Sequence, residues 1–102
     1  MKLVFSSVFE SDFSDGVEFL AREAAEKIAG EWENSVVRTL LMLQKKKRLG
    51  RVRRDLKPHG TRTFRVTGYP RYLVFYQIRE HDLVLLRVKH GAMNLQALFS
   101  GG

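Results

Sequence analysis

The sequence predicts an α+β domain, a small sheet carrying a pair of helices on one face, and three observations predict it. From Asp12 to Lys47 there is no proline, and apolar residues recur every three or four positions, as one face of a helix requires. From Thr61 onward the period changes to short runs of aromatic and branched residues broken by turn sequences. The chain has 102 residues, 44% of them hydrophobic, which suits a single domain over 1–102 with a core that needs no staples.

The elements follow in order. Met1 to Phe5 reads as a short first strand. Phe13, Val17, Leu20 and Ala21 have helical spacing, and so do Ala25, Ile28, Trp32, Val36, Leu40 and Leu43. One helix over that whole stretch is too long for a small domain, so the reading is an antiparallel helical hairpin with its turn near Arg22 to Ala25. Gly50 is the expected stop of the second helix. After the loop DLKPHG, the runs TRTFRV, YLVFYQI and DLVLLRV form three strands of an antiparallel meander, joined through TGYP and REHD. A short helix is expected after Gly91. The predicted order is strand, two helices, three strands, helix.

Several chemistries lack their residues. Cysteine is absent, which excludes disulfides and thiolate catalysis and fits a reducing compartment. His59, His81 and His90 are scattered, with no HExxH and no paired carboxylate signature, so neither metal nor cofactor is expected. There is no G-x-S-x-G elbow and no phosphate-cradling glycine loop, and most acids fall on the predicted helices, where carboxylates normally face solvent. His90 is the one candidate general base, near Arg71, against the commoner role of ordering a turn. The opening MKLVFSSVFESDF has too short an apolar run for a signal peptide, and no stretch approaches the roughly 18 apolar residues of a membrane span. A cytoplasmic protein without membrane association is the expectation.

Charge is the strongest compositional signal. The chain has 18 Lys and Arg against 11 Asp and Glu, a formal net charge of +7. The stretch KKKRLGRVRR, residues 45–54, holds as many basic side chains as that whole excess. Lys45 to Arg48 have a bland explanation, since cations in a last helical turn offset the helix dipole. Arg51, Arg53 and Arg54 lie beyond the helix stop and invite an anionic partner, whether nucleic acid, acidic protein or anionic membrane.

A register guess extends the argument to the sheet. With Glu80 and His81 as a two-residue hairpin turn, Phe75 falls opposite Leu86 and Leu73 opposite Val88 on the core face. The other face then places Tyr72 opposite Lys89, Val74 opposite Arg87 and Tyr76 opposite Leu85, with Arg65 beside Tyr72. Basic groups interleaved with aromatics suit a phosphate-bearing, base-stacking or acidic partner, though an uncovered sheet face is polar in any case. The second helix is apolar around most of its circumference over Val36, Val37, Leu40, Leu41, Met42 and Leu43. Either a protein partner covers Val37, Leu41 and Met42, or the first helix does.

The segment RTFRVTGYPRYLVFYQIREHDLVLLRVKHGAMNL resembles the sheet region of the ParE/RelE toxin superfamily, in particular its ParE branch. The resemblance rests on Arg62 and Phe64, Arg71-Tyr72, Phe75-Tyr76, Leu86-Arg87-Val88, His90-Gly91-Ala92 and Leu95. It implies the toxin of a type II toxin–antitoxin pair, acting in growth arrest and plasmid stabilisation and silenced by an antitoxin whose C-terminal segment wraps it. DNA contact would then be indirect, through the antitoxin. The branch decides the target, which is messenger RNA on the ribosome for RelE-type ribonucleases and DNA gyrase for ParE-type inhibitors. The ribonucleases carry an arginine directly after the tyrosine that opens the third strand, and an arginine and a tyrosine near the C-terminus. Here the first position is Leu73, and the tail GAMNLQALFSGG holds neither. Cleavage without those groups would lack the cations that stabilise a pentavalent phosphate.

The resemblance therefore points to a gyrase inhibitor with no catalytic residues. The expected antitoxin- or target-binding face is Arg65, Arg71, Tyr72, Tyr76, Arg87, Lys89 and His90. A RelE-like ribonuclease using Arg87, Arg71 and His90 is the alternative, and a nontoxic nucleic-acid-binding module using Arg51, Arg53 and Arg54 the second. Asn94 stands where family members often carry an acid before the final leucine.

Overall fold

The computed structural model of the chain describes residues 1–91. The elements are β1 (Lys2–Phe5), α1 (Ser7–Glu23), α2 (Glu26–Lys45), β2 (Arg51–Val52), β3 (Arg62–Val66), β4 (Tyr69–Arg79) and β5 (Asp82–His90). They build one sheet in the order β1-β5-β4-β3-β2, with β1 parallel to β5 and the other neighbours antiparallel. The α+β class and the hairpin-on-sheet layout agree with the sequence reading. The short β2 is an addition to it, and the expected final helix lies outside the described residues.

α1 begins earlier than periodicity suggested, and Ser6 is the reason. Its side chain accepts the Phe9 N–H at 2.9 Å, an N-cap, while its hydroxyl donates to the Leu86 carbonyl at 2.9 Å and ties the helix start to β5. The turn between the helices falls at Ala24 and Ala25, whose amides both donate to the Leu20 carbonyl. Trp32, Val36, Leu40 and Leu43 of α2 then pack with Phe9 against Val66, Val74, Tyr76, Leu83, Leu85 and Val88 of the sheet. Apolar burial of that extent is the main stabilising term of the fold.

Three expectations need correction. α2 ends at Lys45, so of the four cations assigned to its last turn only Lys45 is there. Gly50 does not stop the helix; its N–H donates to the Tyr76 hydroxyl at 2.8 Å, and that hydroxyl donates to the Lys47 carbonyl at 2.8 Å. A Cβ on Gly50 would lie 2.6 Å from Tyr76 Cε1, so glycine is required because the tyrosine ring occupies the space. The connection between β3 and β4 is the two-residue turn Thr67-Gly68, with Gly68 at φ +82°, rather than four residues through TGYP.

The sheet register also departs from the guess. Glu80 and His81 do form the turn, and Tyr76 does face Leu85. An irregularity between Phe75 and Tyr76 then shifts the pairing by one, giving Phe75↔Arg87, Val74↔Val88, Leu73↔Lys89 and Tyr72↔His90. Leu85 and Val88 both turn to the helices as a result, together with Tyr72, Val74 and Tyr76, so the core face is the one expected to be open. Phe75 points away from the helices and is still fully buried, as are Leu56 and Thr61 in and beside the loop that follows β2. That loop is held to β4 by Gln77 Nε2 donating to the His59 carbonyl at 2.8 Å. It closes over the second face of the sheet.

Tyr76 therefore joins core, helix end and basic connection. Replacing Tyr76 with Phe is expected to cost about 1–2 kcal/mol in urea denaturation, because the Gly50 N–H and Lys47 carbonyl lose a buried partner. Gly50→Ala should cost about 1–3 kcal/mol by overpacking. Burial pushes the Tyr76 hydroxyl above its ordinary range, against the opposing effect of the Gly50 N–H. The unfolded chain thus loses this proton first, and stability should fall as pH rises past about 10. That alkaline slope should be shallower in Tyr76→Phe.

Candidate functional site

β1 pairs with β5 only as far as Phe5↔Leu85, which leaves the β5 backbone beyond Leu85 without a strand on that side. α1 fills the gap with Asp12. Its carboxylate accepts from the Val88 N–H at 3.3 Å and, in a bidentate fork, from Arg87 Nε and Nη2, both at 2.9 Å. Lys89 Nζ stands 3.4 Å from the same carboxylate, whose side chain is only 3% exposed. A buried carboxylate with two cations and a backbone donor is a strongly coupled site, and the Asp12 bond holds the Arg87 guanidinium more firmly protonated than usual. The sequence signal was misleading here, because an acid on a helix is ordinarily solvated.

The register shift divides the residues expected to share one basic face: Tyr72, Tyr76 and His90 fall on the helix side, and Arg65, Arg71, Arg87 and Lys89 on the other. Arg87 and Lys89 engage Asp12, and Tyr76 is sealed in the core. Tyr72 lies on the helix side between Trp32, at 5.3 Å between ring centroids, and His90, at 5.2 Å. His90 pairs with Tyr72 and not with Arg71, whose carbonyl accepts the Gly91 N–H. Arg65 is exposed opposite Leu73, and Arg71 is also exposed. The basic loop is divided as well. Arg53 forms a two-bond pair with Asp55 at 2.7 and 2.9 Å, whereas Arg51 and Arg54 are exposed. Among the described residues no group of three or more His, Cys, Asp or Glu is placed to hold a metal ion.

The second helix resolves an open question. Val37 and Leu41 are 46% and 49% exposed, so α1 does not cover them; Met42 is half-buried. Val37 and Leu41, but not Met42, border an apolar groove of about 450 Å³ between α1, α2 and β1, with Leu3, Phe5, Phe9, Phe13 and Leu40 as its other apolar walls. Phe5, Phe9 and Phe13 form a run of ring contacts along it, with centroids 5.6 and 6.4 Å apart. Sequence reading missed the phenylalanine wall because α1 was expected to begin only at Asp12. A second cavity of about 500 Å³ lies past Asp12, lined by Gly16, Phe19, Trp32, Tyr72, Lys89 and His90 among others.

Asp12→Ala should destabilise by about 3 kcal/mol in denaturant titration, since it strands two partly buried cations and the Val88 N–H. The double variant Asp12→Ala, Arg87→Ala should cost less than the sum of its parts, by about 1–3 kcal/mol.

With this geometry established, comparison with known proteins identifies the family. Residues 3–95 match the family described as the ParE toxin of type II toxin-antitoxin system, parDE. Toxin ParE3 of Caulobacter vibrioides (strain ATCC 19089 / CIP 103742 / CB 15) is 39% identical over 71 residues, covering 70% of this chain and 67% of that protein. A solved structure titled Chromosomal ParDE TA system from P. aeruginosa superposes with a TM-score of 0.74, covering 88% of this chain and 95% of the other at 16% identity, a likeness of fold. The chain belongs to the ParE toxin family of type II toxin–antitoxin systems.

Proposed function

We propose that this toxin is held silent by a cognate antitoxin seated in the groove between α1, α2 and β1, and that its target when free is DNA gyrase. The exposed groove carries the first half of the reading. A chain that leaves Phe5, Val37 and Leu41 more than 40% exposed around one apolar trough presents a surface that a partner would desolvate. An amphipathic helix fits such a trough, with apolar anchors at three- and four-residue spacing. The target rests on membership of the ParE family and on Leu73, which stands where the ribonuclease branch has an arginine. The engagement of Arg87 by Asp12 supports the same side, because a guanidinium whose charge is already paired with a buried carboxylate is a poor stabiliser of phosphate charge. Action on gyrase places the toxin in the cytoplasm, with DNA reached through the antitoxin.

Leu41→Glu and Val37→Glu test the groove. Both side chains are half in water, so thermal stability should change by under about 1 kcal/mol, whereas antitoxin capture in a pull-down should drop at least about tenfold. Growth arrest on induction should persist and escape rescue by the antitoxin. Unchanged capture and rescue would overturn the placement. For the target, purified toxin should inhibit gyrase in a supercoiling assay and leave ribosome-bound messenger intact; cleaved messenger with unaffected gyrase would transfer the chain to the ribonuclease reading.

A further inference from the structure

The helical groove lies at the β1 edge of the sheet and leaves the opposite edge, β2, unaccounted for. β2 is only Arg51 and Val52, and both are exposed. It meets β3 through Arg51↔Thr63 and Val52↔Arg62, and one step on, the Arg53 N–H donates to the Thr61 carbonyl at 2.8 Å. Hydrogen-bonded pairs alternate with non-bonded pairs in an antiparallel ladder. Arg51 and Arg53 therefore aim their backbone groups at β3, and Val52 turns its N–H and carbonyl outward, away from the sheet. An unprotected edge of this kind is a template for another strand.

The side chains around that edge select its occupant. Lys45, Lys46, Arg48, Arg51 and Arg54 are all exposed on the chain leading into and out of β2. Arg65 joins Arg51, Leu49 and Leu73 in a shallow cleft beside it. Leu49 and Val52 are 43% and 42% exposed, which adds aliphatic surface among the cations. Among the described residues the one ring that reaches this cleft is Phe64, half-buried and packed against the helix-side core with Tyr69 and Tyr72, while Tyr76 is fully buried, so no exposed aromatic platform is offered there. Single-stranded nucleic acid needs exposed rings on which its bases stack. An acidic, aliphatic strand needs what is present: backbone pairing, arginines for its carboxylates and aliphatic contacts for its alternate side chains.

We propose that the β2 edge takes an extended acidic segment of a protein partner, added to the sheet as a further strand through the backbone of Val52. The inference deepens the toxin–antitoxin reading and rests on it for the source of the segment, but the contact is separate from the helical groove. A dye-labelled peptide alternating Glu and Val tests it by fluorescence anisotropy on the full chain. Saturable binding is expected, with none by the Lys-for-Glu peptide and none when alternate valine amides are N-methylated. Arg51→Glu combined with Arg65→Glu should weaken binding by about tenfold or more.

Val52→Pro deletes the outward donor without touching the ladder to β3, and should weaken binding about three- to tenfold at unchanged thermal midpoint. Equal binding of the N-methylated peptide would reduce the contact to charge alone and overturn the proposal, whether or not the proline variant folds. So would a thymidine oligonucleotide that binds more tightly and displaces the peptide. The two readings fail separately. If the peptide does not bind while Leu41→Glu still loses the antitoxin, only the edge falls; if the peptide binds and Leu41→Glu keeps the antitoxin, only the groove falls.

Discussion

One buried carboxylate sets the relation of helix to sheet. β1 is too short to cover β5 past Leu85, and α1 completes the edge with Ser6 on the Leu86 carbonyl and Asp12 on the Val88 N–H. Those bonds, with the Arg87 fork, fix where α1 lies along the strand. Successive turns of the helix then have assigned neighbours: Phe9 and Phe13 wall the apolar groove, while Gly16 and Phe19 fall on the cavity beyond. Both cavities follow from the placement of Asp12, which is almost wholly buried and yet lines the second of them.

The same cluster explains what was readable from the sequence and what was not. Element order was legible, because helical and extended periods differ and the turns at Ala24-Ala25 and Glu80-His81 lie where the pattern breaks. The face of β4 was not. Val74, Phe75 and Tyr76 are all fully buried, since helices cover one side and the loop after β2 the other, so alternation carries no polar phase. The shift near Leu86 was silent as well, for no glycine or proline marks it. Val37 and Leu41 could be recognised as surplus because a helix apolar on most sides cannot bury them all against one sheet. Their phenylalanine counterwall depended on a helix start set by a single serine hydroxyl.

The basic stretch is neither a solvated helix end nor a loose tail. Beyond Lys45 its backbone is pinned from the sheet: the Tyr76 hydroxyl holds the Lys47 carbonyl and the Gly50 N–H, and Arg62 Nη1 donates to the Gly50 carbonyl at 2.7 Å. A core tyrosine and a strand arginine thus hold in place a connection whose side chains are mostly exposed and cationic. Because the backbone is ordered in advance, a partner that lands there orders side chains only, which lowers the entropic cost of association.

Groove and edge lie on opposite margins of one sheet and draw on different physics, which matters for any chain that engages both. Burial in the apolar trough strengthens with excluded, kosmotropic salts and is nearly indifferent to charge screening. Attraction to the β2 edge works through exposed arginines and lysines and weakens over a Debye length of about 8 Å at physiological ionic strength. A segment tethered by the first contact meets the second at a raised effective concentration, so even a weak edge contact adds to the lifetime of the complex. In the proposed complex the cations would act first on encounter, speeding capture of an acidic chain, and the trough would then govern release. Division of labour of this kind fits a toxin whose partner must find it quickly and leave it slowly.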